Sequence, residues 1–333
     1  MTRVILVRPC TGADAGLALA LDSTASIVTE HTLRVILSVA RAEDPAWPVV
    51  EQAAERLRAR GMDAAAMIAT ASGANHKCAQ LAAVLETARA EIVACADADV
   101  WLDADSLDRL VAPLLNPGGP AATYAPPIEI EPRTLADRAS AAVLDSSLHA
   151  FPLLARLDPR GFVGKAFAVK SAALDRIGGF AALSDYLGED IELARRLSAV
   201  GERTEAIDAP AQAHVQGRTF SAVIERYARW MTVIRAQRPL LLASYPLLFF
   251  PTAFLVAFAP LGVAAVAIVA RILVALAARK ASRRPLLSGL ARAIVLSDLV
   301  LFLAFVRTIT RRRVVWRGRT LEVRAGGRIS EAA

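Results

Sequence analysis

The 333-residue chain is short of the residues that build several common kinds of site. It has three cysteines, Cys10, Cys78 and Cys95, too scattered for a thiolate metal site or a disulfide framework. That usage predicts reduced thiols facing a cytosolic environment. Its four histidines, His31, His76, His149 and His214, are isolated and form no metal set. Neither a GxGxxG fingerprint nor a Walker A sequence occurs, so dinucleotide and P-loop readings have no support. No basic stripe with interleaved aromatics runs through the first 270 residues, and no nucleic-acid partner is expected. A signal-peptide pattern is also missing: Met1-Thr2-Arg3 leads directly into the strand-like Val4-Ile5-Leu6-Val7.

What the chain has in excess is apolar residues, 55% of the total, and the excess is local. Almost every residue from 240 to 278 is apolar, enough for two membrane spans of roughly 18–20 residues each. Pro260-Leu261-Gly262 is the natural turn between them, and Pro246 and Pro251 kink the first. Arg279, Lys280, Arg283 and Arg284 follow. By the positive-inside rule that loop is cytoplasmic, and two crossings place the first 235 residues on the same side. A third apolar run, 293–306, is short, contains Asp298 and has basic residues on both flanks. It is expected to be a re-entrant or interfacial helix. The net charge is +7, but residues 271–333 hold 14 of the 39 basic residues and only 3 of the 32 acidic ones. Such a tail suits an anionic leaflet. The expected organisation is a cytoplasmic domain over 1–235, two transmembrane helices within 236–278, and a basic, membrane-associated tail over 279–333.

Ahead of the membrane part, short apolar runs alternate with helical patterns of 10–15 residues, the rhythm of an α/β domain with a parallel sheet. Ligands of such sheets bind at the carboxyl ends of the strands, where the loops 8–12, 40–45, 72–77 and 97–99 meet. The stretch Glu91-Ile92-Val93-Ala94-Cys95-Ala96-Asp97-Ala98-Asp99-Val100 reads as a strand whose apolar run ends in two carboxylates. Continued as a strand, it puts both carboxylates on one side. Two carboxylates side by side repel unless a cation lies between them, and Mg²⁺ favours one or two carboxylates plus phosphate oxygens. The same acids also read as loop residues, with Asp103 or Asp105 capping the next helix. Glu189 and Asp190 follow Gly188 at the start of a helix, where the dipole alone accounts for acids. Arg226, Arg229 and Trp230 share one face of a helix over 220–235. They read either as membrane-side snorkelling residues or as a cationic, aromatic face for a diphosphate.

In this order the motifs resemble the ceramide glucosyltransferase family and the related hopanoid-associated glycosyltransferases of bacteria, inverting family 2-type enzymes with the GT-A fold. Arg8-Pro9 with Gly12 is similar to the family's first strand end. Glu43-Asp44-Pro45-Ala46 is similar to its Asp-Pro-Ala segment, Asn75 and Lys77 to its Asn-x-Lys step, and Asp97-Ala98-Asp99 to its metal motif. Gly188-Glu189-Asp190 resembles the catalytic-base motif, Arg226-Tyr227-Ala228-Arg229-Trp230 the (Gln/Arg)-x-x-Arg-Trp motif, and Val315-Trp316-Arg317-Gly318-Arg319 with Gly326-Gly327 the tail. Two positions depart from the pattern. The family's usual N-terminal transmembrane helix has no counterpart here, and Arg41 stands where an acid normally helps hold the nucleotide.

The resemblance implies a GT-A domain, a Rossmann-like, mostly parallel sheet, followed by C-terminal transmembrane helices. It implies a multi-pass enzyme of the bacterial inner membrane that moves a hexose from a UDP-sugar to a lipid hydroxyl such as that of ceramide or a hopanoid. Asp190, beside Glu189, is implied as the catalytic base. Asp99 with Asp97 is implied to hold Mg²⁺ or Mn²⁺. Arg8, Pro9, Gly12, Glu43, Asp44, Asn75, Lys77, Asp97, Arg226, Arg229 and Trp230 are implied around the nucleotide sugar. Two rival readings are a non-catalytic, membrane-anchored nucleotide-sugar-binding partner and a processive polysaccharide synthase, for which two spans are few. Sugar, lipid and oligomeric state are not legible in the sequence.

Overall fold

The computed structural model describes residues 1–70, 72–147, 153, 161–214, 217–311, 313–316 and 319–331. His149, Arg317 and Gly318 lie outside the described residues. The chain starts β1 (Arg3–Cys10), α1 (Leu17–Asp22), β2 (Thr32–Val39), α2 (Trp47–Ala59), β3 (Asp63–Ile68), α3 (His76–Thr87), β4 (Ile92–Ala96) and β5 (Val100–Trp101). It continues α4 (Ser106–Leu115), β6 (Ala122–Tyr124), β7 (Pro127–Ile130), α5 (Leu135–Ser146), β8 (Ala166–Lys170), α6 (Ser171–Arg176), α7 (Glu189–Ala199), β9 (Thr204–Ala206) and β10 (Ala211–His214). Then come α8 (Phe220–Gln237), α9 (Pro239–Ser244), α10 (Pro246–Phe258), α11 (Leu261–Ala281), α12 (Leu290–Thr310), β11 (Arg313–Trp316), β12 (Arg319–Val323) and β13 (Ile329–Glu331). The elements form two compact units, Met1–Pro127 with Asp158–His214, and Ile128–Leu157 with Val215–Ala333.

The first unit is built on a seven-stranded sheet in the order β3-β2-β1-β4-β8-β6-β9. Strands β1 and β4 are almost entirely buried because they lie at the centre of the sheet and are covered on both faces. Strand β1 pairs in parallel with β2 and β4, and β2 in parallel with β3. Helix α2 buries Val50, Ala53, Ala54 and Leu57, the spacing of one helical face, against this sheet. Strand β8 breaks the parallel run: it is antiparallel to β4, with Ala96 opposite Ala166. An antiparallel neighbour brings its amino end to its partner's carboxyl end. The segment before β8, Gly164-Lys165, therefore meets the segment after β4, and the Asp97 amide donates to the Lys165 carbonyl at 2.8 Å. A second small pairing sets β5 against β10, Ala213 opposite Val100, and the His214 amide donates to the Asp99 carbonyl at 3.2 Å.

In the second unit, α5 opens on a capping box in which Thr134 and Asp137 exchange side-chain and backbone hydrogen bonds. Its core joins Val143 and Leu144 of α5, Tyr227 and Met231 of α8, Phe249 of α10, and Val300, Leu301 and Ala304 of α12. Three helical segments, Pro239–Phe258, Leu261–Ala281 and Leu290–Thr310, are long and apolar enough to cross a membrane by length and composition. The third, at 21 residues, extends beyond the apolar run over 293–306 at both ends. Arg292 and Arg307 interrupt the apolar pattern without interrupting the helix, and Arg307 sits in the last turn, where the helix dipole favours a cation. Asp298 is not a bare charge in that helix. Its carboxylate accepts from Arg271 of α11 at 2.7 Å, and Arg271 also donates to the Ser146 carbonyl and to Ser297. The tail folds as an antiparallel sheet β11-β12-β13. Gly327 sits at φ 84°, a left-handed conformation that favours glycine, against the Gln237 side chain.

Candidate active site

In the first unit the acids gather where β4 ends, though not by strand alternation. Strand β4 stops at Ala96, and Asp97-Ala98-Asp99 forms a turn closed by the Val100 amide donating to the Asp97 carbonyl at 3.0 Å. Arg8 fixes that turn from below. It is fully buried, and its Nη2 donates to the carbonyls of Asp97 at 3.0 Å and Val100 at 2.5 Å. Its Nη1 donates to the Ala20 carbonyl and to Thr24 Oγ1. Burial lowers its pKa to about 10, still far above neutrality, so the guanidinium remains a cation under the turn. Arg8 therefore does not face a ligand as the resemblance implied, and neither does Pro9, buried in β1 opposite Ser38.

The carboxylates of the turn are held by two ammonium groups. Lys77 Nζ is 2.7 Å from Asp97 Oδ1 and 3.4 Å from Glu189 Oε1, and it donates to the Gly164 carbonyl at 2.5 Å. Lys165 Nζ lies 2.5 and 2.6 Å from the two oxygens of Asp99 and 3.3 Å from Asp97 Oδ2. Burial works against the charge on Lys77, but Asp97 and Glu189 outweigh it and hold the ammonium well above the ordinary lysine value.

Asn75 explains the first half of the Asn-x-Lys step. It caps α3 by accepting from the amides of Lys77 and Cys78, and its Nδ2 donates to the Tyr186 carbonyl at 2.8 Å and to Glu189 Oε2 at 3.0 Å. It is fully buried, so it positions Lys77 and Glu189 instead of touching a ligand. Asp190 begins α7 beside Glu189, and its Oδ2 accepts from the Gly164 amide at 3.0 Å. Burial, and next the charge of Glu189, push its carboxyl up to about 7, against the pull of the Gly164 amide and Lys77. A carboxylate titrating near neutrality is suited to proton transfer. A β-carbon at Gly164 would sit 3.2 Å from both Asp190 Cβ and Lys77 Nζ, so a larger residue would push those side chains back by a few tenths of an ångström.

The loop after β2 is more structural than expected. Asp44 is buried and accepts from Thr11 Oγ1 at 2.8 Å and from the amides of Gly12 at 2.8 Å and Ala46 at 2.9 Å. Burial alone would raise its pKa, yet those donors hold it below the ordinary carboxylate range. Its oxygens tie the Gly12 turn, at φ 71°, to the start of α2. Glu43 and Arg41 beside it are exposed.

The second unit holds the remaining motif. Arg226 is buried and its Nη1 bonds Glu129 Oε1, while Arg218 bonds the same oxygen at 2.7 Å. Burial disfavours the Glu129 charge, but the two guanidiniums hold its carboxyl below the usual range. The Arg226 guanidinium also lies 4.7 Å from the Trp230 ring centre, and that ring meets Tyr227 edge-on at 5.1 Å. Arg226 is thus committed inside its own unit, whereas Arg229 and Trp230 keep partly exposed side chains.

Three participants carry no signal in the sequence. Glu129 lies 97 residues from Arg226, Lys165 reads as the first residue of a strand, and Gly164 as an ordinary loop glycine. Only the antiparallel placement of β8 brings the last two to Asp97. Among the described residues, no group of three or more His, Cys, Asp or Glu side chains is arranged to hold a metal ion.

The sequence pattern of glycosyl transferase family 21 matches residues 1–329. The chain belongs to that family. This is the ceramide glucosyltransferase family that the motifs resemble, and the protein is a glycosyltransferase. Among solved structures, the mannosyltransferase PcManGT from Pyrobaculum calidifontis, determined with GDP-Man and Mn²⁺, is 18% identical over 92% of this chain and 87% of its own, with a TM-score of 0.52. That likeness shows a shared GT-A fold. TarS 1–349 of S. aureus, determined with UDP-GlcNAc, is 14% identical over 99% of each chain at a TM-score of 0.46. No curated protein matches the sequence.

Proposed function

We propose that this family 21 enzyme moves a hexose from a UDP-sugar to the hydroxyl of a membrane lipid, such as ceramide or a hopanoid, with inversion at the anomeric carbon. The observation that carries this reading is Asp190, a partly buried carboxylate raised to about 7 beside Glu189 and Lys77, at the carboxyl end of the central strands. Asp190 takes the proton of the acceptor hydroxyl as its oxygen bonds to the anomeric carbon and the bond to the diphosphate breaks. Glu189 keeps the base from ionising too early in pH and anchors Lys77. The ammonium of Lys77 faces the leaving diphosphate and offsets its developing charge. Glu43, exposed beside the engaged Asp44, is the acid left to meet the nucleoside.

Asp97 and Asp99 fit a divalent ion. They offer only oxygens, and the single ammonium of Lys165 reaches both carboxylates, so one cation can be embraced by the pair. Asp99 with Asp97 would hold Mg²⁺ or Mn²⁺, which supplies Lewis-acid neutralisation of the leaving diphosphate.

We place residues 1–235 on the cytoplasmic side of a bacterial inner membrane. Helix α12 is long enough to cross, yet its far end is tied to α8 by an Arg307–Glu225 ion pair and by Thr308 donating to the Ala228 carbonyl. On the loop before it, Arg284 bonds Asp145 at 3.0 Å and the Glu129 carbonyl at 3.2 Å. Polar anchors at both ends support α12 lying along the membrane surface. A membrane-impermeant maleimide should label Ser288→Cys and Ala325→Cys from the same side; labelling from opposite sides would make α12 a span.

The test of the chemistry is Asp190→Asn in detergent or lipid nanodiscs. Hexose transfer should fall about 10²–10⁴-fold while UDP still binds with wild-type affinity. Transfer that survives the substitution would remove Asp190 from the role of base.

A further inference from the structure

Lys165 occupies a position that neither the family motifs nor the proposed mechanism accounts for. Its backbone is set by the pairing of β8 with β4, since its carbonyl accepts the Asp97 amide at 2.8 Å. Its side chain is 14% exposed, and its ammonium touches three carboxylate oxygens, both of Asp99 and one of Asp97. Those are the oxygens a divalent ion would take. With Lys77 on the fourth, at 2.7 Å, all four oxygens of the pair are already held by ammonium groups. An ion arriving alone would have to displace an ammonium and then remain within a few ångströms of it, an unfavourable contact in a partly buried site. A diphosphate changes that balance, because it brings negative charge that an ammonium on a flexible four-carbon stem can turn to.

We propose that Lys165 is a displaceable resident cation. In the unloaded protein it holds Asp97 and Asp99 together and suppresses binding of a divalent ion by itself. When the donor diphosphate enters, Lys165 turns onto the phosphate oxygens and releases both carboxylates, so ion and donor bind cooperatively. This rests on the donor reading above, and it gives the lysine two opposite effects: competition with the free ion and attraction for the diphosphate.

The experiment measures binding, not turnover. Free Mn²⁺ is followed by electron paramagnetic resonance, and UDP binding by calorimetry in EDTA, for wild type, Lys165→Met and Lys165→Arg. Without nucleotide, Lys165→Met should bind Mn²⁺ at least tenfold more tightly than wild type, and its UDP affinity in EDTA should fall about tenfold. Lys165→Arg should stay near wild type in both. A loss of packing alone cannot tighten Mn²⁺ binding. Mn²⁺ affinity unchanged or weaker in Lys165→Met overturns the proposal. If Lys165→Met does not fold, the wild type still decides: Mn²⁺ must bind at least tenfold more tightly with UDP present than without, and equal affinities overturn the idea. Asp99→Asn separates this from the donor reading. Mn²⁺–UDP binding that survives Asp99→Asn removes the ion from the acidic pair, whereas its loss there with no effect of Lys165→Met removes only the role given to Lys165.

Discussion

The protein uses buried ion pairs in two ways. In the first unit, three carboxylates, those of Asp97, Asp99 and Glu189, share two ammonium groups beside the carboxyl of Asp190, and each side chain keeps some exposure. In the second, the ratio is reversed: two guanidiniums, from Arg218 and Arg226, converge on one oxygen of Glu129, which is 2% exposed. The first cluster has an excess of one sign and flexible lysine stems, so an arriving charge can rearrange it. The second has rigid, forked donors and an aromatic cover, so it fixes the helix carrying the Arg-Trp motif. On the proposed reading, similar ion pairing serves ligand exchange in one unit and scaffold in the other. The difference lies in burial and in which partner can move.

The comparison breaks most visibly at Glu129. Glu129→Ala removes the buried carboxylate that Arg226 and Arg218 share and should destabilise the protein by about 3–5 kcal/mol, read as a large fall in Tm in detergent. Asp97→Asn should do the reverse, lowering hexose transfer while Tm moves far less, because its neighbours remain partly solvated. If both substitutions lowered Tm alike, the acidic cluster would be scaffold too.

This contrast is only half legible in the sequence. Strands β1 to β4 are readable because central parallel strands are continuous apolar runs, and the loops at their carboxyl ends follow from that order. The pairing of β8 with β4 is a long-range choice that no local pattern encodes, so Gly164 and Lys165 stay silent until the sheet is assembled. Arg8 and Arg226 mislead for the opposite reason. An arginine in a motif looks like an anion binder, and whether it points at a ligand or at a buried carbonyl or glutamate depends on residues 12 to 97 positions away. Asp97 and Asp99 do converge on one cation, but through a turn that Arg8 supports, not through alternation along a strand.

A smaller effect sharpens the line between positioning and contact. Asn75→Ala removes the cap of α3 and the donor to Glu189, and should cost about 1–2 kcal/mol of stability. If Asn75 only positions, UDP affinity should drop modestly and in step with the loosening of Lys77, while Asn75→Asp, which keeps the capping oxygen but turns a second acceptor onto the Tyr186 carbonyl and the Glu189 carboxylate, should be at least as destabilising. Full recovery of transfer by Asn75→Asp would show that the Glu189 contact is dispensable.

The smallest effect tests the electrostatics inside the acidic cluster. As the proposed base, Asp190 would act only when ionised, so kcat/KM should climb with pH through about 7 and level off above it. After burial, the charge of Glu189 is what raises that carboxyl. Glu189→Gln removes a negative neighbour and makes ionisation of Asp190 easier, so the acid limb should move to lower pH, by on the order of one unit or less. The same change removes one of the carboxylates holding Lys77, leaving that ammonium more fully on Asp97, 2.7 Å away. The two consequences separate experimentally, since the first moves the pH limb and the second moves UDP affinity at fixed pH. A limb that stays in place, or shifts upward, would mean that Glu189 and Asp190 do not share the field of one site.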